Sequence, residues 1–203
     1  MTIRLRCLTL ATLSAFALLL LVTAAQAQTT FNAKLTHDQE VSNPPIPDEG
    51  SSGFATFVLN AAETQLSYSV QLTGLDLDGL QTPGNPNDNV TRVHFHRAPV
   101  GSNGAIVFGI IDGAASFRDD DNPNDLVVNP ALGTFSGIWN LTEGQGAATL
   151  ATELDELKSR LLYFNVHTSD HGGGEIRGQV VPEPTTLVLG VALFAQAACR
   201  RLR

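Results

Sequence analysis

The stretch QLSYSVQLT, Gln65–Thr73, alternates apolar and polar side chains at every position. Successive side chains of a β-strand point to opposite faces, so this strict alternation is typical of a strand with one buried face. The apolar side chains that would share one face are Leu66, Tyr68, Val70 and Leu72. The pattern predicts a β-strand that packs one side against a core.

Similar short apolar runs lie between turn signals on both sides of this stretch, at residues 31–35, 53–59, 90–96, 105–111, 134–141, 161–167 and 175–181. About eight short strands at this density are typical of a β-sandwich or a β-barrel. We therefore predict a single all-β domain, built as an antiparallel sandwich or barrel.

One short helix is predicted between the last strands. Thr152 is suited to cap its N terminus. Acidic side chains follow in the first turn, where the helix dipole favours negative charge: Glu153, Asp155 and Glu156. Three leucines have helical spacing and two basic residues follow near the end: Leu154, Leu157, Leu161, Lys158 and Arg160. We interpret this helix as a packed connection without chemistry of its own.

The N-terminal residues 1–27 have the features of a secretory signal peptide. Arg4 and Arg6 precede an apolar run at 8–22, and Ala25 and Ala27 form a small-residue cleavage site. We expect cleavage after Ala27; the alternative is a retained N-terminal anchor. The apolar run is shorter than a typical membrane span.

The C-terminal residues 182–203 combine three signals. Pro182-Glu183-Pro184 precedes an apolar run at 185–199, and a basic cluster ends the chain. An apolar helix followed by positive charge is a stop-transfer pattern, with the basic end cytoplasmic. Taken alone, 15 residues could also form a buried helix.

This tail resembles the PEP-CTERM sorting signal of bacterial exported proteins. The resemblance implies recognition by an exosortase-type transpeptidase, transient anchoring in the inner membrane and removal of the helix. Delivery to the cell surface or an extracellular matrix would follow. The predicted organisation is a signal peptide at 1–27, a domain at 28–181 and a sorting signal at 182–203.

The charge and the cysteines take on a different meaning once both ends are removed. The whole chain of 203 residues has a formal net charge of −8, but the 28–181 segment holds 19 acidic and 7 basic residues, about −12. Phosphate binding needs a surplus of lysine and arginine, which argues against a nucleic-acid partner. Cys7 and Cys199 both lie in the removed segments, so the exported domain has no internal disulfide.

Three passages in order resemble the CHRD (chordin-type) domain. They are Glu40-Val41 with the prolines that follow it, VHFH at 93–96 with GAIV at 104–107, and YFNVHT at 163–168 with GEIRGQV at 174–180. The resemblance runs from Phe31 to about Val180. It implies an extracellular β-barrel or sandwich of secreted animal and microbial proteins, immunoglobulin-like or similar to Cu/Zn superoxide dismutases. In animal relatives the domain occurs in an antagonist of secreted growth factors.

Three histidines form a candidate metal site. His94 and His96 are two residues apart on one strand, about 7 Å at Cα, so both lie opposite its apolar face, and His167 lies opposite the apolar face of another strand. Three imidazoles suit Zn or Cu, and His171 or Glu175 could add a ligand. The alternative is that these histidines are surface or loop-packing residues that hydrogen-bond backbone carbonyls.

The likeness to dismutases implies that His94 and His96 occupy the position of paired copper ligands. Two departures disfavour dismutation: no histidine is obvious as a metal-bridging ligand, and the domain has no disulfide cysteines.

Two further groups of polar residues have open alternatives. Asp119, Asp121 and Asp125 lie in an oxygen-rich loop that could bind Ca²⁺, although the loop lacks EF-hand spacing and could equally be a solvated acidic loop. Glu175 and Arg177 on the last strand could form a charged site beside His167, or a pair that braces strands or loops.

Enzyme signatures are otherwise absent from the sequence, which has no nucleophile elbow, no phosphate-binding glycine loop and no cysteine in the domain. We therefore predict an exported, non-enzymatic surface or extracellular-matrix module that binds polysaccharide or a surface protein, or has a structural role. The alternative is a metal-binding protein or Cu/Zn-type oxidoreductase that uses the histidine trio.

Overall fold

The computed structural model describes residues 28–112, 119 and 125–183. Within this part of the chain the strands are β1 Thr29–Leu35, β2 Ser52–Leu59, β3 Gln65–Thr73, β4 Val90–Arg97, β5 Ala105–Asp112, β6 Val127–Asn129, β7 Thr134–Asn140, β8 Leu162–Thr168, β9 Ile176–Gln179 and β10 Val181–Pro182. One α-helix, α1, spans Leu150–Lys158, and short 3-10 helices span His37–Gln39, Pro86–Asp88 and Pro130–Leu132.

The strands form two antiparallel sheets that pack face to face. The first has six strands in the order β10-β1-β2-β3-β7-β6, and the second has four in the order β5-β4-β8-β9. The described strands do not close into a barrel, so the predicted all-β fold is confirmed as a sandwich. Its core lies between the inner faces of the two sheets.

The alternation in β3 sets the pattern for the six-stranded sheet. Its side chains are buried and exposed in strict turn along the whole strand. Aromatic rings from both sheets fill the middle of the sandwich: Phe57 and Trp139 from the six-stranded sheet, and Phe95, Phe108 and Phe164 from the four-stranded sheet. These rings bury large apolar surfaces, and burial of apolar area is the main term that holds a domain without a disulfide together.

Helix α1 begins earlier than the sequence predicts. Its N-cap is Thr149, and Thr152 occupies the third helical position, where its Oγ1 accepts a hydrogen bond of 2.9 Å from the Thr149 N–H. The prediction that Thr152 caps the helix is therefore wrong, because Leu150 belongs to the helix and is fully buried in the core. The helix ends at Lys158, and Arg160 beyond it has a positive φ of 62°.

The last predicted strand, 175–181, is two strands in different sheets. β9 pairs with β8 in the four-stranded sheet, whereas β10 pairs with β1 in the six-stranded sheet. The chain crosses between the sheets at Val180, whose side chain is fully buried. Pro182 of the Pro-Glu-Pro motif is part of β10, and the Glu183 N–H donates to the Thr30 carbonyl.

Several predictions fall outside the described residues. These are the signal peptide at 1–27, most of the acidic loop at 120–124 and the apolar run at 185–199. Among the residues that are described, no helix has the length and apolar character needed to cross a membrane.

Candidate metal centre

The outward face of the four-stranded sheet carries polar side chains in matched rows. In the pairing of β4 with β8, His94 lies opposite Asn165, His96 opposite Tyr163, and His167 opposite Arg92. All seven residues of β8 are buried, so both faces of this strand are covered. Around His94, His96 and β8, the face opposite the apolar core is therefore a polar interior that is shielded from solvent, whereas Arg92 at its edge is exposed.

The three predicted histidines meet on this face. His94, His96 and His167 are 1%, 7% and 6% exposed. One ring nitrogen from each lies within 4.8 Å of one from each of the others. The ring centroids are separated by 5.6 Å between His94 and His96 and by 6.0 Å between His96 and His167. The structure thus brings the trio together from two neighbouring strands.

Backbone carbonyls determine the tautomers of two of these rings. Nδ1 of His96 lies 3.1 Å from the Gly104 carbonyl oxygen, and Nδ1 of His167 lies 3.2 Å from that of Gly172. A carbonyl oxygen only accepts, so each Nδ1 carries the proton and donates it. The Nε2 atoms of His96 and His167 are then bare acceptors; they are buried and have no hydrogen-bond partner among the described residues.

The surroundings keep the three imidazoles neutral. Burial lowers the pKa of His94 to about 3, with further lowering from the neighbouring His167 and His96. Burial likewise lowers the pKa of His96 to about 4, although the bond to Gly104 opposes that shift. The pKa of His167 is also lowered, again chiefly by burial. Neutral imidazole is the form that binds a metal ion.

A stack of side chains supports His96 from the side. The Tyr163 ring is parallel to the His96 ring within 6°, at a centroid separation of 4.8 Å. The Arg177 guanidinium carbon lies 3.6 Å from the centroid of the Tyr163 ring, a cation–π contact. Arg177 also donates to Asn103 Oδ1 and to the Ser102 carbonyl. The loop that contains Ser102 and Asn103 therefore lies over the four-stranded sheet, held there by the buried Arg177.

A buried carboxyl group lies at the edge of the same polar interior. Burial raises the pKa of Glu40 to about 7, against a lowering influence of the Arg177 charge. A Cβ built on Gly174 would come within 2.7 Å of both Glu40 Oε1 and Asn165 Nδ2, so all three residues are close neighbours.

Comparison with protein families identifies the domain. The family model of the CHRD domain matches residues 31–180. The chain belongs to the CHRD domain family. No curated protein and no solved structure matches it. The CHRD domain is typical of secreted proteins, which is compatible with export, and the CHRD part of the predicted resemblance is confirmed. The sorting signal remains a prediction.

The two residues predicted as possible additional metal ligands, His171 and Glu175, do not join the three histidines. Within the described residues, neither His171 nor Glu175 has a ligand atom in the group formed by the three histidines. His171 instead lies beside Glu49 and Asp170, with its Nε2 3.8 Å from a carboxylate oxygen of each. Glu175 is 3% exposed, and its N–H donates to the Val166 carbonyl.

The predicted calcium ligands are only partly described. Asp119 Oδ2 accepts a hydrogen bond of 2.6 Å from the Gly109 N–H, and the Asp119 N–H donates to the Gly109 carbonyl. Asp119 therefore pairs with the backbone of β5, the outermost described strand of the four-stranded sheet. Asp125 is described and half-buried, whereas Asp121 lies outside the described residues. The calcium site remains a prediction.

Several residues of the centre were not assigned to it from the sequence. Gly104 and Gly172 contribute only their carbonyls, and Tyr163 and Asn165 were placed on the correct face without a role. Arg177 was assigned either to a charged site or to loop bracing, and its hydrogen bonds to Ser102 and Asn103 connect β9 to a loop, as the bracing role predicts. Backbone carbonyls have no sequence signature, although Gly104 and Gly172 lie near the histidine motifs.

Proposed function

We propose that this CHRD domain protein is an exported, non-enzymatic module of the cell surface or extracellular matrix that binds Zn or Cu at His94, His96 and His167. The observation that carries the proposal is the direction of the ring nitrogens. Nδ1 of His96 and Nδ1 of His167 are bonded to the Gly104 and Gly172 carbonyls, which leaves each Nε2 to face a ligand, and one ring nitrogen from each histidine lies within 4.8 Å of one from each of the others.

The chemistry of the donor set supports this proposal. Metal-binding histidines almost always donate the second ring N–H to a carbonyl, a carboxylate or water, which fixes the ring and its tautomer. Three imidazole nitrogens suit Zn and Cu, whose bonds to nitrogen are about 2.0–2.1 Å. Nitrogens up to 4.8 Å apart can reach such distances through ring shifts of less than about 1 Å each.

Burial favours a structural or binding role for the ion over catalysis. The three rings are at most 7% exposed, and the segment 102–104 and the turn 172–174 supply groups that contact the trio or its neighbours. A ligand that binds only the folded state stabilises it by mass action. An exported domain without a disulfide would gain stability from such an ion.

Metal analysis of the purified protein tests the proposal. We expect close to one Zn or Cu per chain, lost in His94→Ala and retained in His37→Ala, which changes a histidine outside the trio. Removal of the metal with a chelator should lower the unfolding temperature of the wild type and leave that of His94→Ala unchanged. Absence of stoichiometric metal, together with unchanged stability in His94→Ala, would overturn the proposal. Bound copper with redox turnover would replace it with the oxidoreductase alternative.

We propose further that an exosortase-type transpeptidase removes the C-terminal tail. The Pro-Glu-Pro motif begins on β10, where Pro182 pairs with Phe31 and the Glu183 N–H donates to the Thr30 carbonyl. A cut beyond Glu183 would leave every described strand of both sheets intact. Mass spectrometry of the protein from its native host tests this, and a mature chain that retains residues 187–199 would contradict it.

A further inference from the structure

The outward face of the six-stranded sheet lies on the other side of the sandwich from the histidines and has a different chemistry. We propose that this face binds a neutral polysaccharide, with Phe54 as the central contact. The proposal goes beyond the metal centre and does not depend on it, because the two faces belong to different sheets. It names the ligand class of a surface module and the residues that would recognise it.

A large aromatic side chain, Phe54, is exposed on this face. It lies on β2, with a strand on each side, and its side chain is 49% exposed. In register with it are Lys34 on β1 and Gln71 on β3. Aromatic rings on a protein surface offer a flat apolar face with negative potential, which attracts the C–H groups of a sugar ring. An aromatic ring in the middle of a polar sheet face is suited to that contact.

A hollow lies beside the Phe54 ring. It has a volume of about 360 Å³, and Leu35 contributes to its lining together with Lys34, Ser52, Phe54, Gln71 and Thr73. This volume falls within the usual range for small-molecule sites, about 300–1,000 Å³. Gly53 contributes only backbone to the hollow, because a Cβ built on it would point into the core, 2.8 Å from Leu72 Cδ2 and 3.0 Å from Leu35 Cδ1. The apolar ring thus borders a recess that also offers hydroxyl, amide and ammonium groups.

A row of polar, uncharged side chains lies next to the Phe54 ring. Asn32, Thr56, Ser69 and Ser136 lie side by side across four neighbouring strands. The amide nitrogen of Gln71 donates to the carbonyls of Leu72 and Leu132 at 3.0 and 2.7 Å, so this side chain is held in place. Neutral donors and acceptors on a rigid sheet are suited to sugar hydroxyls, because little conformational entropy is lost on binding.

Charge distinguishes a neutral polymer from the other candidates. No outward-facing residue of β1, β2, β3 or β7 is acidic, and Lys34 is the one charged residue among them. One carboxylate reaches the edge of the face, where Glu183 Oε1 accepts a hydrogen bond from Asn32 Nδ2. The exported segment as a whole carries about −12. An anionic polymer would be repelled by the domain as it approached. The other apolar side chains that face outward from these strands, Val58 and Ile138, are only partly exposed, so the apolar area around Phe54 is small for a protein partner.

Affinity electrophoresis through gels that contain hydroxyethyl cellulose, dextran, galactomannan or alginate tests the proposal on the full exported protein. We expect retardation by at least one of the three neutral polymers, with an apparent dissociation constant at least tenfold weaker in Phe54→Ala. The matched control is Leu80→Ala, which removes another exposed apolar side chain, 72% exposed and outside this sheet. It should bind as the wild type does.

The other outcomes each overturn the proposal. These are no retardation by any neutral polymer, retardation by alginate alone, or equal binding by Phe54→Ala. Sedimentation that shows a dimer abolished by Phe54→Ala would assign the face to a second copy of the chain. Binding should also persist in His94→Ala and after chelation, so a failure of the metal centre and a failure of this face can be told apart.

Discussion

His94 of β4 and His167 of β8 approach edge to face, with ring centroids 5.1 Å apart and ring planes at 62°. They are not direct partners in the strand register, since His94 lies opposite Asn165 and His167 lies opposite Arg92. The contact is therefore diagonal across the sheet, within the reach of ring side chains. His96, the next outward residue of β4, completes the triangle. A single strand pair thus presents three imidazoles to one point.

The two glycines that orient the rings should respond differently to substitution. A Cβ on Gly104 would lie 1.9 Å from the Arg97 carbonyl oxygen, whereas a Cβ on Gly172 would have no heavy atom within 4 Å. We expect Gly104→Ala to displace the carbonyl that holds His96 and to weaken metal binding about 10- to 100-fold. Gly172→Ala should bind within about threefold of the wild type.

Competition with a chelator of known affinity measures both values. Equal loss in the two variants would show that the carbonyl positions do not control the site. Unchanged metal affinity in both variants would likewise show that the carbonyl positions do not control the site.

Replacement of Glu40 by glutamine should remove a pH dependence of stability. The pKa of Glu40 in the folded protein is about 7, raised by burial from an ordinary value of 4.5. Between these values the folded state holds the proton more tightly, so its contribution to stability is complete below pH 4.5 and is lost as the pH rises through 7. The slope is at most about 1.4 kcal/mol per pH unit.

Urea unfolding of the metal-free protein from pH 4.5 to 8 checks this expectation. Glu40→Gln should have the smaller loss of stability over that range. Asp38→Asn provides a control, because it changes a fully exposed carboxylate two residues away. Parallel curves for wild type and Glu40→Gln would contradict the prediction.

Asp76 should be essential for the loop that precedes β4. Its carboxylate accepts hydrogen bonds from the backbone N–H groups of Asp78, Gly79, Gln81 and Thr82 at 2.8–3.1 Å. Burial would raise the pKa of Asp76, but these bonds outweigh it and lower the pKa to about 2. We expect Asp76→Asn to cost about 3 kcal/mol at pH 7, because an amide cannot accept this set.

The difference should shrink as the pH falls from about 4 through 2, since protonation removes the same advantage from the wild type. Asp78→Asn, on an exposed side chain in the same loop, should cost less than 1 kcal/mol or so. Chemical denaturation at pH 7 and pH 3 measures both variants. A small effect of Asp76→Asn at pH 7 would contradict this account.

Phe95 should be the most sensitive position of the aromatic core. Its ring lies 5.0–6.3 Å from the centroids of four other rings: Phe57, Phe108, Trp139 and Phe164. Phe95→Ala would leave a cavity between the two sheets, with an expected cost of about 3–5 kcal/mol. Phe54→Ala, on the exposed face, should cost under about 1 kcal/mol. Comparable costs in a denaturation experiment would contradict the assignment of Phe95 to the core.

The local pattern of the chain predicted most of the strands, because burial in a strand repeats every two residues. The alternation in β3 and the position of His94 and His96 on one face both follow from that period. The helix start and the division of residues 175–181 between two sheets were not predicted. They depend on how Leu150 and Val180 pack against residues distant in the chain, and local propensity does not contain that information.

The sequence alone determined that the chain is an all-β CHRD domain and that three histidines lie opposite the apolar faces of their strands. Only the tertiary structure decided that β4 and β8 are neighbours and that loops cover their outward face. Glycine carbonyls from those loops then fix the tautomers of His96 and His167. The physical reason is that strand direction is a local property, whereas burial, hydrogen-bond partners and imidazole pKa depend on atoms brought together by folding.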